Sequence, residues 1–178
     1  MNMRPTSRPR SDDAGITLVE LIIGMLIATV IAGATVMILV NSWRTQEEVA
    51  SVSDATNTGQ LVSSAMERAI RNADYIDVSA DQSTLLVQTS LGGSLTCQGF
   101  HLTTDSLLMA IRSTPLGDPT TWPSWKTGLS RQGTASFLTR TGNTVSYAFD
   151  MTTDSAPVHF TGSAALRSVS TGEPRSCW

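Results

Sequence analysis

Lysine is nearly absent from this chain of 178 residues; Lys126 is the only one. With 12 lysines and arginines against 15 aspartates and glutamates, the formal net charge is −3 and gives no evident electrostatic footprint for nucleic acid. Histidine is equally scarce. His101 and His159 fall in separate segments with no cysteine or carboxylate at ligand spacing, so neither suggests zinc. There is no G-x-S-x-G, no P-loop and no C-x-x-C. Serine is so frequent that a Ser-His-Asp set can be imagined anywhere, which is a reason to distrust one. Asp150 and Asp154 bracket a polar stretch, yet calcium takes more oxygen ligands than that spacing supplies. The sequence therefore offers no catalytic residue, no metal site and no cofactor site.

One further absence organises the chain. From Ile16 to Val40 the only charged side chain is Glu20. A run of that length crosses a bilayer, which takes about 20 helical residues at about 1.5 Å each. A carboxylate inside such a run costs roughly 2.5–3.5 kcal/mol on insertion scales and ordinarily has a functional partner. Cleavage between Gly15 and Ile16 would supply one, a free α-amino group on the same chain or, with better geometry, on a neighbouring chain. Within the run Glu20, Gly24, Ala28 and Ala32 recur every four residues and so share one slowly drifting helix face. Small side chains at that spacing let helix backbones approach closely. They are also common in membrane helices generally, so the stripe alone does not decide its use.

Gly15, Ile16 and Glu20, with Thr17-Leu18-Val19 between them, resemble the signature of the type IV prepilin family. That signature is a glycine, a cut, a hydrophobic first residue and a glutamate at the fifth mature position. The resemblance covers about Gly15 to Val40. It implies that a prepilin peptidase cuts after Gly15 and methylates the Ile16 amine. It further implies that Glu20 neutralises the N-terminus of an adjacent pilin or pseudopilin subunit in a filament, with Gly24, Ala28 and Ala32 on the assembly face. The leader, residues 1–15, departs a little from the pattern because Asp12 and Asp13 sit close to the cut. Two other readings stay open. A single-span anchor would leave a membrane-tethered extracytoplasmic binding domain with no filament role. A secretory signal could end at Ala32-Gly33-Ala34 and give a chain beginning at Thr35, although its core would then carry Glu20.

Orientation follows from charge. Arg4, Arg8 and Arg10 precede the span, whereas Arg44 beyond it is followed by Glu47 and Glu48, which marks the N-terminus as cytoplasmic and the rest as outside. Residues 1–15 hold three arginines and two aspartates, so the remainder carries nine basic against thirteen acidic residues. The expected domains are thus a leader over 1–15, a membrane helix over 16–40, an amphipathic continuation over 41–74 and a β-rich extracytoplasmic domain over 75–178. In the amphipathic part Val62, Met66, Ala69, Ile70 and Ala73 recur at helical intervals, which gives one face able to pack on a domain. Asn57-Thr58-Gly59 predicts a kink or short break, since glycine costs up to about 1 kcal/mol in a helix interior. The portion Gln60 to Ile76 is similar to J-type pseudopilins and W-type minor pilins.

After Tyr75 short runs of β-forming residues appear: Thr84 to Thr89, Leu95 to Leu102, Leu107 to Ser113, Ala135 to Arg140, Asn143 to Phe149 and Val158 to Phe160. Val145, Tyr147 and Phe149 alternate and share a face, and Thr141-Gly142-Asn143 predicts a hairpin. Ser113 to Gln132 reads as the longest loop. An antiparallel sheet with one apolar face needs a cover, which the amphipathic helix can provide. The expected class is α+β, a long N-terminal helix on a small antiparallel ectodomain, the layout of a pilin. Cys97 and Cys177 either bond or remain free; a bond would close a loop of about 80 residues worth about 4 kcal/mol in the chain-entropy model, and such a loop resembles the C-terminal disulfide of many pilins. Trp122 and Trp125 are either exposed anchors for another subunit or a lid folded over the sheet, and burial separates the two cases.

Overall fold

A computed structural model describes residues 17–90, 93–167 and 177. The chain divides into two units, Met1–Thr45 and Gln46–Trp178. Helix α1, Leu18–Arg71, supplies all the described structure of the first unit beyond Thr17 and the opening element of the second. In the first unit every described residue is exposed. This is the arrangement that an apolar run without internal partners must take, and α1 is the one described helix long and apolar enough to cross a membrane.

In the second unit α1 buries Ala55, Gly59, Val62, Met66, Ala69 and Ile70, the face that the three- and four-residue spacing specified. It ends at Arg71, short of the expected residue 74. Thr89 Oγ1 donates to the Asn72 carbonyl at 2.9 Å and the Asp74 N–H donates to Gln88 O at 2.8 Å, so the chain leaves the helix directly into a sheet. The break expected at Asn57-Thr58-Gly59 is absent, because Gly59 is a packing socket. A Cβ there would lie 2.2 Å from two ring carbons of Phe160. The missing side chain admits an aromatic ring against the helix backbone, and that burial outweighs the local propensity.

The strands are β1 (Tyr75–Val78), β2 (Thr84–Thr89), β3 (Thr96–Leu102), β4 (Ser106–Arg112), β5 (Ser124–Thr127), β6 (Leu129–Ser130), β7 (Leu138–Thr141), β8 (Thr144–Met151) and β9 (Val158–Ala165). Strands β1 to β5 form one antiparallel sheet in chain order. In the second sheet β8 pairs along its whole length with β9, while β6 and β7 divide its other side, at Asp150–Met151 and Thr144–Tyr147. The β7–β8 hairpin turns on Gly142-Asn143 with Gly142 at φ 59°, the positive angle a two-residue hairpin loop requires at its first position.

Three elements depart from expectation. Strand β1 falls where the helix was expected to be ending, and β5 and β6 lie inside the segment Ser113 to Gln132 that reads as a loop. All three are short and carry polar residues, so no alternation develops. Strand β9 continues five residues past Phe160, through Thr161-Gly162-Ser163-Ala164-Ala165, whose weak β propensity hides it.

The main core lies between α1 and the sheets. Val62, Met66 and Ile70 of the helix join Ile76, Leu85, Val87, Phe100, Leu102 and Leu107 of the first sheet, and Val145, Tyr147 and Phe149 of the second, all nearly inaccessible. Phe149 stacks on Phe160 with centroids 5.2 Å apart and meets Phe137 edge-on at 6.1 Å. Tyr147 Oη donates to Glu67 Oε1 at 2.8 Å, and Glu67 Oε2 pairs with Arg71 at 2.7 Å, which ties helix to sheet by a bond with direction. A second cluster of Cys97, Leu108, Ala110, Leu116, Trp122 and Cys177 gives the first sheet a second apolar face.

Candidate functional site

The chemistry singled out in the sequence begins at the N-terminus of α1. Thr17 caps the helix: its Oγ1 accepts from the Glu20 N–H at 3.2 Å and its carbonyl accepts from the Leu21 N–H at 3.1 Å. The spacing Thr17-x-x-Glu20 is a capping-box pattern, a signal in the sequence that the functional reading passed over. Glu20 also stands in the first turn, where the positive end of the helix dipole favours an anion. Neither contribution uses up its carboxylate, which has no hydrogen-bond or salt-bridge partner among the described residues.

Glu20, Leu21, Gly24, Met25 and Ala28 line one shallow groove on the helix surface. A Cβ at Gly24 would meet nothing within 4 Å, so the groove is open at its centre. Ala32 lies one turn further along and does not line it. Thr29 and Thr35 return their hydroxyls to the Met25 and Ile31 carbonyls at 2.8 and 2.9 Å, which leaves these polar groups satisfied on an otherwise apolar surface. Gly15 and Ile16 lie outside the described residues.

The family model described as a prokaryotic N-terminal methylation motif matches residues 10–36. The chain carries the type IV prepilin-like signature. The matched segment encloses Gly15, Ile16, Glu20, Gly24, Ala28 and Ala32 together. No curated protein and no solved structure matches the chain. Beside this signature stand α1, a helix long and apolar enough to cross a membrane, and the disulfide Cys97–Cys177.

Elsewhere in the chain, Cys97 and Cys177 are bonded, with Cα atoms 5.4 Å apart. The bond ties residue 177 to β3, and the Leu116 N–H donates to the Cys177 carbonyl at 3.0 Å. Trp122 is 3% exposed, and so an exposed anchor at that position is ruled out. Its ring fills the space beside Gly99, where a Cβ would come 2.1 Å from Cη2, and Nε1 donates to the Leu116 carbonyl at 3.0 Å. Trp125 is partly buried against the main core and contacts Phe100 at 6.3 Å. The two tryptophans thus cover opposite faces of the first sheet.

Serine, histidine and aspartate come together at the β1–β2 turn, and Ser130, Asp150 and His159 are cross-strand neighbours in the second sheet. Asp81 accepts from Ser79 Oγ and Ser83 Oγ, each at 2.5 Å, while His101 Nδ1 lies 2.7 Å from Thr84 Oγ1 and 3.4 Å from Ser83 Oγ. The carboxylate therefore holds hydroxyls and does not orient the imidazole, the reverse of what a nucleophile triad needs. The Ser79 hydroxyl, and then that of Ser83, hold the Asp81 carboxyl down at about 2. Gln82 in the same turn has φ 60°, and its carbonyl accepts from the Leu138 N–H of β7 at 3.1 Å. The cluster is a lock on a strained turn. Asp150 pairs with His159 at 2.6 Å, and no group of three His, Cys, Asp or Glu able to hold a metal occurs among the described residues.

Proposed function

We propose that this chain is the precursor of a type IV pilin-like subunit, of the minor pilin or pseudopilin kind, that works by assembly and performs no catalysis. A prepilin peptidase cuts after Gly15 and methylates the Ile16 amine. The precursor waits in the cytoplasmic membrane as a single-span protein with its N-terminus inside and residues 75–178 outside, and then enters a pilus or secretion pseudopilus. There Glu20 meets the Ile16 amine of a neighbouring subunit, and the groove over Gly24 and Ala28, extended by Ala32, receives that neighbour's helix. The observation that carries this reading is the match over residues 10–36 to a methylation motif that encloses an acid with no partner among the described residues. In lipid such an acid is stabilised by a cation, and the amine made by the cut is the cation that the motif supplies. The disulfide Cys97–Cys177 agrees with an exported domain, where such bonds persist.

Coexpression with a prepilin peptidase tests the reading. The expected product lacks fifteen residues and begins at N-methylated Ile16 by intact-mass and N-terminal analysis. Glu20→Ala should be inserted and processed yet reach the filament fraction at a small share of the wild-type level. An intact N-terminus in the presence of active peptidase, or a start at Thr35, would favour a tethered binding domain and overturn the assembly role.

A further inference from the structure

Among the described residues, every sheet edge in the second unit but one is blunted. Strand β1 is four residues long, and Arg140 of β7 covers it by donating from Nη1 to the Ile76 carbonyl at 2.6 Å. Strand β5 is four residues long, follows Pro123, carries Lys126 and sits beside a register shift between Leu107 and Leu108. Strand β6 has two residues, and β7 has four with Arg140 among them. Short length, basic side chains, proline and bulges are the devices by which proteins keep an edge from recruiting foreign strands. Strand β9 has none of them within its length, although Pro157 precedes it as Pro123 precedes β5. It is eight residues long, its register against β8 is unbroken, and it holds no proline, lysine or arginine.

The phase of β9 is fixed by one bond. The Leu166 N–H donates to the Asn143 carbonyl at 3.0 Å, which continues the β8–β9 register by one pair. Because hydrogen-bonded and non-bonded pairs alternate in an antiparallel ladder, residues 158, 160, 162 and 164 turn their backbone groups toward β8. His159, Thr161, Ser163 and Ala165 turn theirs outward. All four are exposed, and no described residue gives their outward N–H and C=O groups a partner. His159 is the one ionisable side chain of the strand, and its ring is held on Asp150 of β8.

We infer that the β9 edge pairs antiparallel with the β9 edge of a second copy of this chain, about a two-fold axis through Gly162. In that register every outward group of both strands is bonded, and the side chains agree. Thr161 faces Ser163, a hydroxyl pair that can share a hydrogen bond across strands. His159 faces Ala165 and Phe160 faces Ala164, large against small in both pairs, while Val158 and Leu166 meet as an apolar pair at the strand end. Gly162 faces Gly162, where non-bonded strands approach most closely and no Cβ intrudes. No charge is placed opposite a like charge. The edge is self-complementary in this way because its bulk lies at one end and its small residues at the other. The pairing is isologous and closed, so it yields a dimer and stops there. It uses no residue of the N-terminal signature and does not depend on processing.

The test uses the full chain in detergent. Sedimentation should show a concentration-dependent monomer–dimer equilibrium. Thr161→Pro removes an outward N–H that β8 does not use, a position where edge proline is tolerated, and Ser163→Lys adds an edge charge. Each should raise the dimer dissociation constant at least about tenfold with an unchanged circular dichroism spectrum. Independently of either variant, Thr161→Cys mixed with Ser163→Cys should oxidise to a cross-linked heterodimer in higher yield than either alone. A monomeric wild type, a dimer indifferent to both edge changes, or equal cross-linking in the mixed and unmixed samples would each overturn the inference. Thr161→Pro and Ser163→Lys should leave cleavage after Gly15 and methylation of Ile16 by the peptidase unchanged, so failure here is separate from failure of the N-terminal reading.

Discussion

Replacing Gly59 by alanine sets two effects of known sign against each other. In a helix interior alanine is favoured over glycine by up to about 1 kcal/mol, so from local propensity alone Gly59→Ala stabilises. The structure places two Phe160 ring carbons 2.2 Å and a third 2.7 Å from the added Cβ. Carbon atoms rest about 3.5–4.0 Å apart, so the ring must withdraw by more than about 1 Å. It cannot do so freely, because it is stacked on Phe149 at 5.2 Å, and Phe149 is wedged in turn against Phe137 and Tyr147. Overpacking of this kind costs about 1–3 kcal/mol. The net expectation is a loss of about 1 kcal/mol, seen as a fall of about 4 °C in the unfolding midpoint of the second unit. The assay is thermal unfolding of the full chain in detergent, followed by near-ultraviolet circular dichroism. Phe160→Ala is the control that isolates the cause. Once the ring is gone, Gly59→Ala should become stabilising by up to about 1 kcal/mol, so that the two changes couple with opposite signs. A raised midpoint for Gly59→Ala in the otherwise native chain would show that the ring does not occupy the socket.

Reduction of Cys97–Cys177, or Cys97→Ser with Cys177→Ser, should remove about 4 kcal/mol of stability, given the 80-residue separation; equal midpoints for oxidised and reduced chain would contradict this. Trp122→Ala should cost about 3–5 kcal/mol as the buried lid of the second cluster. Gly99→Ala should be severe when Trp122 is present and mild once it is gone, as read by the same unfolding curves. Asp81 has a folded pKa of about 2, below its ordinary 3.8. Its contribution is therefore fully present above pH 4 and is lost as the pH falls toward 2. The destabilisation by Asp81→Asn should shrink across that window, and a difference that stays constant between pH 5 and 2 would remove the hydroxyl lock from the account.

What was legible in the chain was what depends on repetition. The uncharged run and the three- and four-residue spacing of Val62, Met66, Ala69 and Ile70 specify α1 and its buried face, because a helix repeats its environment at a fixed interval. Strands β2, β3, β4 and β8 fall within one or two residues of their expected bounds for the same reason at period two. What stayed hidden depends on a single distant partner. Gly59 reads as a breaker and Gly162 lies beyond the expected strand Val158 to Phe160, yet each is the bare spot on which one ring rests, Phe160 on the helix and Tyr147 across the sheet. A glycine's local cost is fixed by its own backbone, while its use is set by a residue roughly a hundred positions away in the first case and fifteen in the second, and no spacing rule carries that information. Glu20 is the same problem carried one step further. Its position is plain in the sequence and its cap on Thr17 is plain in the fold, but the cation that answers its charge belongs to no described residue of this chain. A carboxylate with its backbone cap in place and no cation among the described residues, on a helix fit for lipid, is what the proposed pairing with a neighbour's amine would answer.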